Sequence, residues 1–172
     1  MAHILYPNYR KGWMYMAEGI NKEMAQRVWE RVQVSSGEHK VQPLQQTDGL
    51  QSLIVEEWQQ AQAYEQLSRK LTGGARTTIW ELQREKKAQI ACLKGICTMC
   101  TGQAPMIKAV QPPSAPAPQL LRQCYGRQLR CLARYEGAVG DPEYGHVYKG
   151  MAEQDRRHCR EILKLLGEMS GK

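Results

Sequence analysis

Three acidic residues and one histidine have the side-chain types and the spacing of a metal site. Glu57, Glu85 and Asp155 each interrupt an otherwise apolar helical pattern, and His158 follows Asp155 by three residues. Residues three apart lie on one face of a helix. A carboxylate in the core of a helical bundle must take up a proton or meet a cation. The pattern therefore predicts a buried metal ion held by Glu57, Glu85, Asp155 and His158.

The same four residues also fit a solvated surface. Two arginines separate Asp155 from His158, and basic residues flank Glu85 on both sides. Glutamate is also common on exposed helix faces. The metal hypothesis thus depends on the three carboxylates converging in the interior.

The elements that must position these residues are all predicted to be helices. Apolar residues recur three or four apart through each of them, and no segment reads as a strand. A helix is predicted over 17–34, and four later helices over about 50–71, 77–96, 119–139 and 144–169. Gly73 and Gly74 are expected to end the first of these four, and Thr77 or Thr78 to begin the next. The predicted fold class is all-α.

The length of 172 residues fits one domain. Residues 1–46 are interpreted as an N-terminal arm and helix, and residues 47–172 as a four-helix bundle. Within the bundle, residues 97–118 are rich in proline, which opposes helix and favours an extended chain. This linker is long enough to cross over the length of the bundle and join helices that run in the same direction.

A weak internal repeat supports the bundle. Both halves contain a polar residue, a tyrosine seven residues later that is followed by glutamate, and then an acidic residue. Duplicated helical hairpins are one route to a four-helix bundle. The equivalent pairs, 70 or 71 residues apart, are Glu57 and Gln128, Tyr64 and Tyr135, and Glu85 and Asp155.

With these motifs the chain resembles the ferritin-like superfamily, in particular its rubrerythrin-like branch, over about residues 50–166. The resemblance implies a bundle with a long crossover between the second and third helices. It also implies two irons, held by Glu on the first and third helices and by Glu-x-x-His on the second and fourth. Glu57 matches the first-helix ligand, Tyr64 matches a tyrosine two turns on, and Asp155 with His158 keeps the fourth-helix spacing.

Two positions depart from the family pattern. The second-helix motif begins at Glu85 but has Ala88 in place of histidine, and Gln128 stands where the third-helix glutamate is expected. Gln128 can supply an amide oxygen, which is a weaker ligand than a carboxylate. The reduced set favours a single ion over a full di-iron centre, with iron first and manganese or zinc as alternatives, or no metal at all.

Tyr64 and Tyr135 are interpreted as core aromatics whose hydroxyls bond a neighbouring polar group. Cys97 and Cys100 have the spacing of a zinc or redox pair, but no second pair of this spacing completes a zinc site. The other reading of the cysteines is as thiols, with Cys124, Cys131 and Cys159 as small buried apolar side chains.

The net charge of +7 is concentrated in one part of the chain. Residues 86–135 contain eight lysines and arginines and no acidic residue. This stretch could attract an anionic partner. Arg127, Arg130 and Arg134 recur three and four apart and predict a basic ridge on one helix, for which a plain solvated face is the alternative.

The sequence is compatible with two functions of different classes. The first is a ferritin-like metal-binding protein with a reduced site and residual redox activity toward peroxide or oxygen. The second is a non-enzymatic interaction protein that kept the fold, lost the di-iron chemistry and binds an anionic partner through residues 86–135. A helical subunit of a homo-oligomer is a third reading. Because no apolar run spans a membrane and no signal peptide is recognised, the expected localisation is cytoplasmic.

Overall fold

The structure, a computed structural model, describes residues 47–108 and 114–170. These residues contain no strand and form four helices, so the all-α fold class is confirmed for them. The helix predicted over 17–34, the rest of the N-terminal arm and part of the crossover linker lie outside the described residues. The helices are α1 (Thr47–Lys70), α2 (Gly73–Thr101), α3 (Ala117–Ala138) and α4 (Gly145–Ser170).

The prediction for the start of α2 was wrong. Thr72 caps the helix in an extended conformation, and Gly73 opens it at φ +58. Glycine adopts this left-handed conformation without the steric penalty of a side chain. The glycine pair expected to end α1 therefore begins α2, and only Leu71 and Thr72 separate the two helices.

The prediction for the end of α2 was also wrong, because the helix continues to Thr101, through Cys97 and Cys100. The first proline of the linker is Pro105, so no proline interrupts the helix before it ends. Gly102, at φ 71, then caps it and donates its backbone N–H to the Thr98 carbonyl. Helix α3 begins after the extended Pro116.

A compact turn joins α3 to α4. Asp141 Oδ1 accepts hydrogen bonds from the backbone N–H groups of Glu143 (2.9 Å) and Tyr144 (2.8 Å). A Cβ atom at Gly145 would lie 2.3 Å from the Val139 carbonyl oxygen. Only glycine fits there without a backbone shift, so this residue fixes how closely α4 follows α3.

Helices α1 and α3 pack side by side in opposite directions. Near the start of α1, Ser52 Oγ accepts a hydrogen bond from Arg134, which lies late in α3. Farther along α1, Gln60 donates to the carbonyl of Cys124, which lies early in α3. Residue numbers in α3 thus fall as those in α1 rise.

Helices α2 and α4 also run in opposite directions, because Glu85 contacts His158 whereas Gln89 donates to the carbonyl of Met151. The short links make α1 with α2, and α3 with α4, antiparallel hairpins. Helices α2 and α3 therefore run in the same direction.

The core is formed by apolar residues from all four helices. In α2 the buried stripe keeps the three-four spacing of a bundle helix but passes through Lys86, not Glu85. Its members include Ile79, Leu82, Lys86, Gln89, Leu93 and Ile96. Over the part of the chain that the structure describes, no helix combines the length and apolar character needed to cross a membrane.

Candidate functional site

The centre of the bundle holds one cation between two carboxylates. Lys86 Nζ on α2 lies 2.8 Å from Glu57 Oε2 on α1 and 2.8 Å from Asp155 Oδ1 on α4. All three side chains have a relative exposure of 0%. We call Lys86, Glu57 and Asp155 the lysine cluster. It joins three helices through two ion pairs that are shielded from water.

Neutral polar groups contact the lysine cluster, although Asp155 Oδ2 has no hydrogen-bond partner among the described residues. Tyr135 on α3 donates its hydroxyl to Glu57 Oε1 at 2.8 Å, and Gln89 donates its amide to Asp155 Oδ1 at 3.0 Å. The Tyr135 ring stacks on Tyr148 with the ring centroids 6.4 Å apart. Each carboxylate therefore has a second donor besides the ammonium, as buried charges require.

The lysine cluster carries two acids for one base. Burial lowers the pKa of Lys86, but the facing charges of Asp155 and Glu57 outweigh this and raise it, so the ammonium stays protonated. Burial, only partly opposed by the Lys86 charge and reinforced by the Glu57 charge, raises the pKa of Asp155 to about 7. Since one ammonium cannot neutralise two carboxylates, Asp155 takes up a proton near neutral pH.

A second group of polar residues lies beside it, where α2 meets α4. His158 Nε2 is 2.7 Å from Glu85 Oε2, and Gln154 donates to the same oxygen at 3.0 Å. Arg157 also pairs with Glu85. We call Glu85, Gln154, Arg157 and His158 the rim cluster, because His158 is fully buried whereas the Glu85 side chain is 21% exposed.

The rim cluster has its own protonation behaviour. Burial and the nearby Lys86 charge together lower the pKa of His158 to about 4, so the imidazole is neutral at pH 7. For Glu85, burial favours the neutral acid, but hydrogen bonds from His158 and Gln154 outweigh it and lower the pKa. At neutral pH the rim cluster thus contains an ionised glutamate and a neutral histidine.

A third buried group contains no charge at its centre. Gln60 donates to Gln128 Oε1 at 3.3 Å, and Tyr64 donates its hydroxyl to the same oxygen at 3.4 Å. Arg127 donates to Gln60 Oε1 at 3.1 Å from a half-buried position. We call Gln60, Gln128 and Tyr64 the amide cluster. The amide oxygen predicted as a weak metal ligand is therefore already engaged by two donors.

The residues present do not fit the metal site that the ferritin-like resemblance implies. Among the described residues, no group of three or more His, Cys, Asp or Glu side chains is arranged to hold a metal ion. The Lys86 ammonium lies between Glu57 and Asp155, and a metal ion there would meet a like charge. Glu85 and His158 face each other in the rim cluster.

The structure thus brings some of the predicted ligands together and divides others. Glu57 and Asp155 meet in the core, whereas Glu85 and His158 pair in the rim cluster. Sequence reasoning missed Lys86, which entered only as part of the basic stretch. Local spacing gave no signal for this choice, because a stripe at three-four spacing between Leu82 and Gln89 can pass through either Glu85 or Lys86.

The three arginines predicted to form a basic ridge face α1. Arg130 and Arg134 both pair with Glu56, at 3.7 and 3.6 Å. Arg134 is buried and also bonds Ser52 Oγ at 2.8 Å and the Gly49 carbonyl. Arg134 therefore belongs to the contact between α1 and α3, and not to a free basic surface. The paired arginines compensate for an acidic residue on the neighbouring helix.

All six cysteines are free thiols. Cys97 is buried and Cys100 is exposed, while Cys124, Cys131 and Cys159 are buried. Burial raises the pKa of Cys124 to about 12 and raises those of Cys131 and Cys159, so these thiols stay protonated at neutral pH. A metal or redox role for Cys97 and Cys100 remains a prediction.

Comparison of this chain with family models, with curated proteins and with solved structures finds no match in any of the three.

Proposed function

We propose that this protein is a non-enzymatic helical bundle that holds its core without a metal and binds an anionic partner. The observation that carries the proposal is the position of Lys86. Its ammonium is 2.8 Å from both Glu57 and Asp155 and has no exposure to solvent. The charge that a metal would supply to these acids comes instead from the chain itself.

The ferritin-like ancestry belongs to the same proposal. The resemblance calls for a crossover between the second and third helices, and the parallel directions of α2 and α3 support one. Glu57 and Asp155, carried over as ligands on the first and fourth helices, lie on either side of one buried cation. A bundle that exchanged its metal for lysine would retain the fold and lose the redox chemistry.

The outer face of α2 supports the anionic partner. Arg84, Lys87 and Lys94 are exposed there, and α2 contains no acidic residue after Glu85. Arg84 lies over the ring of Trp80, 5.6 Å from its centroid, and Trp80 is 56% exposed. An exposed aromatic ring beside several cations suits a partner that presents negative charge on a partly apolar surface.

The partner proposal is tested with heparin as a polyanion probe. We expect binding that weakens steeply with salt, because bound counterions are released on association. The double variant Lys87→Gln/Lys94→Gln should bind less tightly and lower the salt slope by about two. The matched control, Arg69→Gln/Lys70→Gln, removes the same charge from exposed residues at the end of α1.

Equal losses in the double variant and in its control would mean that only net charge matters and would contradict a surface on α2. Affinity that is independent of salt would contradict an anionic partner altogether.

The metal-independent core is tested separately by elemental analysis and by unfolding in urea with and without a chelator. We expect far less than one metal ion per chain and the same unfolding midpoint in both conditions. A stoichiometric metal that is lost in His158→Ala would contradict a metal-independent core and would favour the metal-binding function instead.

A further inference from the structure

We propose that Lys86 and Asp155 form an isopeptide bond that links α2 to α4, with Glu57 as the catalytic residue that moves the protons. The proposal concerns a covalent modification of the lysine cluster and does not depend on a partner. An amine, a carboxyl group and a second carboxylate are the groups that such a condensation needs. Here they come from three different helices.

The geometry places the reacting groups in contact. Lys86 Nζ lies 2.8 Å from Asp155 Oδ1, so the carboxyl carbon of Asp155 is next to the amine. The relevant side chains are fixed by packing, because Lys86, Glu57 and Asp155 are fully buried. Holding two reactants at contact distance removes most of the entropic cost of a condensation.

Asp155 is in the protonation state that the reaction needs, whereas Lys86, whose pKa the two facing acids raise, must first give up a proton. Asp155 takes up a proton near neutral pH, because burial raises its pKa to about 7. A protonated carboxyl is the electrophile that an amine requires, since its hydroxyl can leave as water. Glu57 Oε2, 2.8 Å from Lys86 Nζ, is the base positioned to receive the ammonium proton.

The step balances without any other reactant. Lys86 passes a proton to Glu57, and the nitrogen lone pair then attacks Cγ of the protonated Asp155. The new C–N bond forms, and the C–O bond to the Asp155 hydroxyl breaks. Of the two protons that the ammonium gives up, one leaves with that hydroxyl as water and the other stays on Glu57.

The product removes the electrostatic cost of the lysine cluster. The starting ammonium and the Glu57 carboxylate are both buried charges, which are costly in a low dielectric. The product contains a neutral amide and a neutral Glu57, to which Tyr135 already contributes a hydrogen-bonding hydroxyl at 2.8 Å. Loss of water from a site with no solvent exposure further favours the amide.

The test is the intact mass of the full-length protein, measured after acid denaturation, which breaks ion pairs but not amides. We expect a mass lower than that of the sequence by one water molecule. Proteolysis and tandem mass spectrometry should then find a branched peptide that joins the segments around Lys86 and Asp155. A folded protein with the full sequence mass, or a water loss located elsewhere, would overturn the proposal.

Variants separate the chemistry from folding. Lys86→Arg keeps the charge but should show no mass loss, and Asp155→Asn should lose ammonia in place of water. Glu57→Gln should stop the reaction, whereas Glu85→Gln, in the rim cluster, should leave the loss of water complete. Circular dichroism establishes that each variant is helical. A folded Glu57→Gln protein that still loses one water would overturn the assigned role of Glu57.

Discussion

The lysine cluster and the rim cluster begin at adjacent residues of α2, yet they satisfy their charges in opposite ways. Lys86 faces the core and meets two carboxylates that have no access to water. Glu85 stays at the edge of the bundle, where a neutral histidine, a glutamine and an exposed arginine surround it. One residue of helix register therefore decides whether a charged side chain stays near solvent or must be neutralised by other residues of the chain.

The largest expected effect comes from removing the cation of the lysine cluster. Lys86→Met leaves Glu57 and Asp155 buried without a cation and should lower the free energy of unfolding by about 3–5 kcal/mol. The loss should be smaller below pH 7, where Asp155 is protonated and is no longer a buried charge. Urea unfolding at neutral and acidic pH measures it. Lys87→Met, at the exposed neighbour, should change stability by no more than about 0.5 kcal/mol.

Acidification should act through the rim cluster. His158 has a folded-state pKa of about 4 against an ordinary value of 6.5, so the folded protein binds fewer protons between those values. Asp155, with its raised pKa, acts in the opposite direction below pH 7. Taken alone, His158 should lower stability by up to about 3 kcal/mol as the pH drops from 6.5 to 4. The lowered pKa of Glu85 acts in the same direction below its ordinary value of 4.5.

His158→Gln should remove this contribution, so the difference in stability between the variant and the original protein should change by up to about 3 kcal/mol between pH 6.5 and 4, as followed by urea unfolding across that range. An unchanged pH profile in that variant would mean that another group titrates.

The two buried tyrosines allow a charged hydrogen-bond acceptor to be compared with a neutral one. Tyr135 donates to the Glu57 carboxylate at 2.8 Å, whereas Tyr64 donates to the Gln128 amide at 3.4 Å. Tyr135→Phe should cost about 1.5–3 kcal/mol and Tyr64→Phe about 0.5–1.5 kcal/mol. Thermal or urea unfolding compares them directly. A larger cost for Tyr64→Phe would reverse the expected order of the lysine and amide clusters.

The smallest loss of stability should come from removing the charge of Glu85 in the rim cluster. Glu85→Gln removes a partly exposed charge but keeps an oxygen that can accept from His158, so the expected loss is about 1 kcal/mol or less. Comparison with Lys86→Met under one condition gives the ratio between the two clusters. Equal losses of stability in the two variants would mean that the difference in burial between the lysine cluster and the rim cluster does not affect their contributions to stability.

The sequence was sufficient to predict the helical class, and it identified Glu57, Asp155 and both tyrosines as polar residues within the apolar pattern. It did not reveal that Lys86 points inward. Glu85 and Lys86 are neighbours, and a stripe at three-four spacing can be drawn through either of them. Which of the two residues is buried depends on the facing helices, because Glu57 and Asp155 both pair with Lys86. Such long-range contacts leave no trace in local spacing.

The boundaries of α2 and the arginines of α3 show the same limit. A glycine pair can end one helix or begin the next. Here it begins α2, after Thr72, whose backbone is extended. Arg127, Arg130 and Arg134 form a periodic row whether they face water or a neighbour. Glu56 and Gln60 on α1 are their partners, and only the packing of α1 against α3 brings them into contact.

Because Lys86 lies on the first hairpin, the two hairpins are unequal despite their weak repeat. The α1–α2 hairpin contains its own neutral pair, Glu57 with Lys86, whereas the α3–α4 hairpin contributes Asp155 and no cation to this centre. Two copies of the second hairpin could not replace the pair, since each would bring an unbalanced acid. Any ancestral symmetry between the halves has therefore become a division of roles, in which one half supplies the base and the other depends on it.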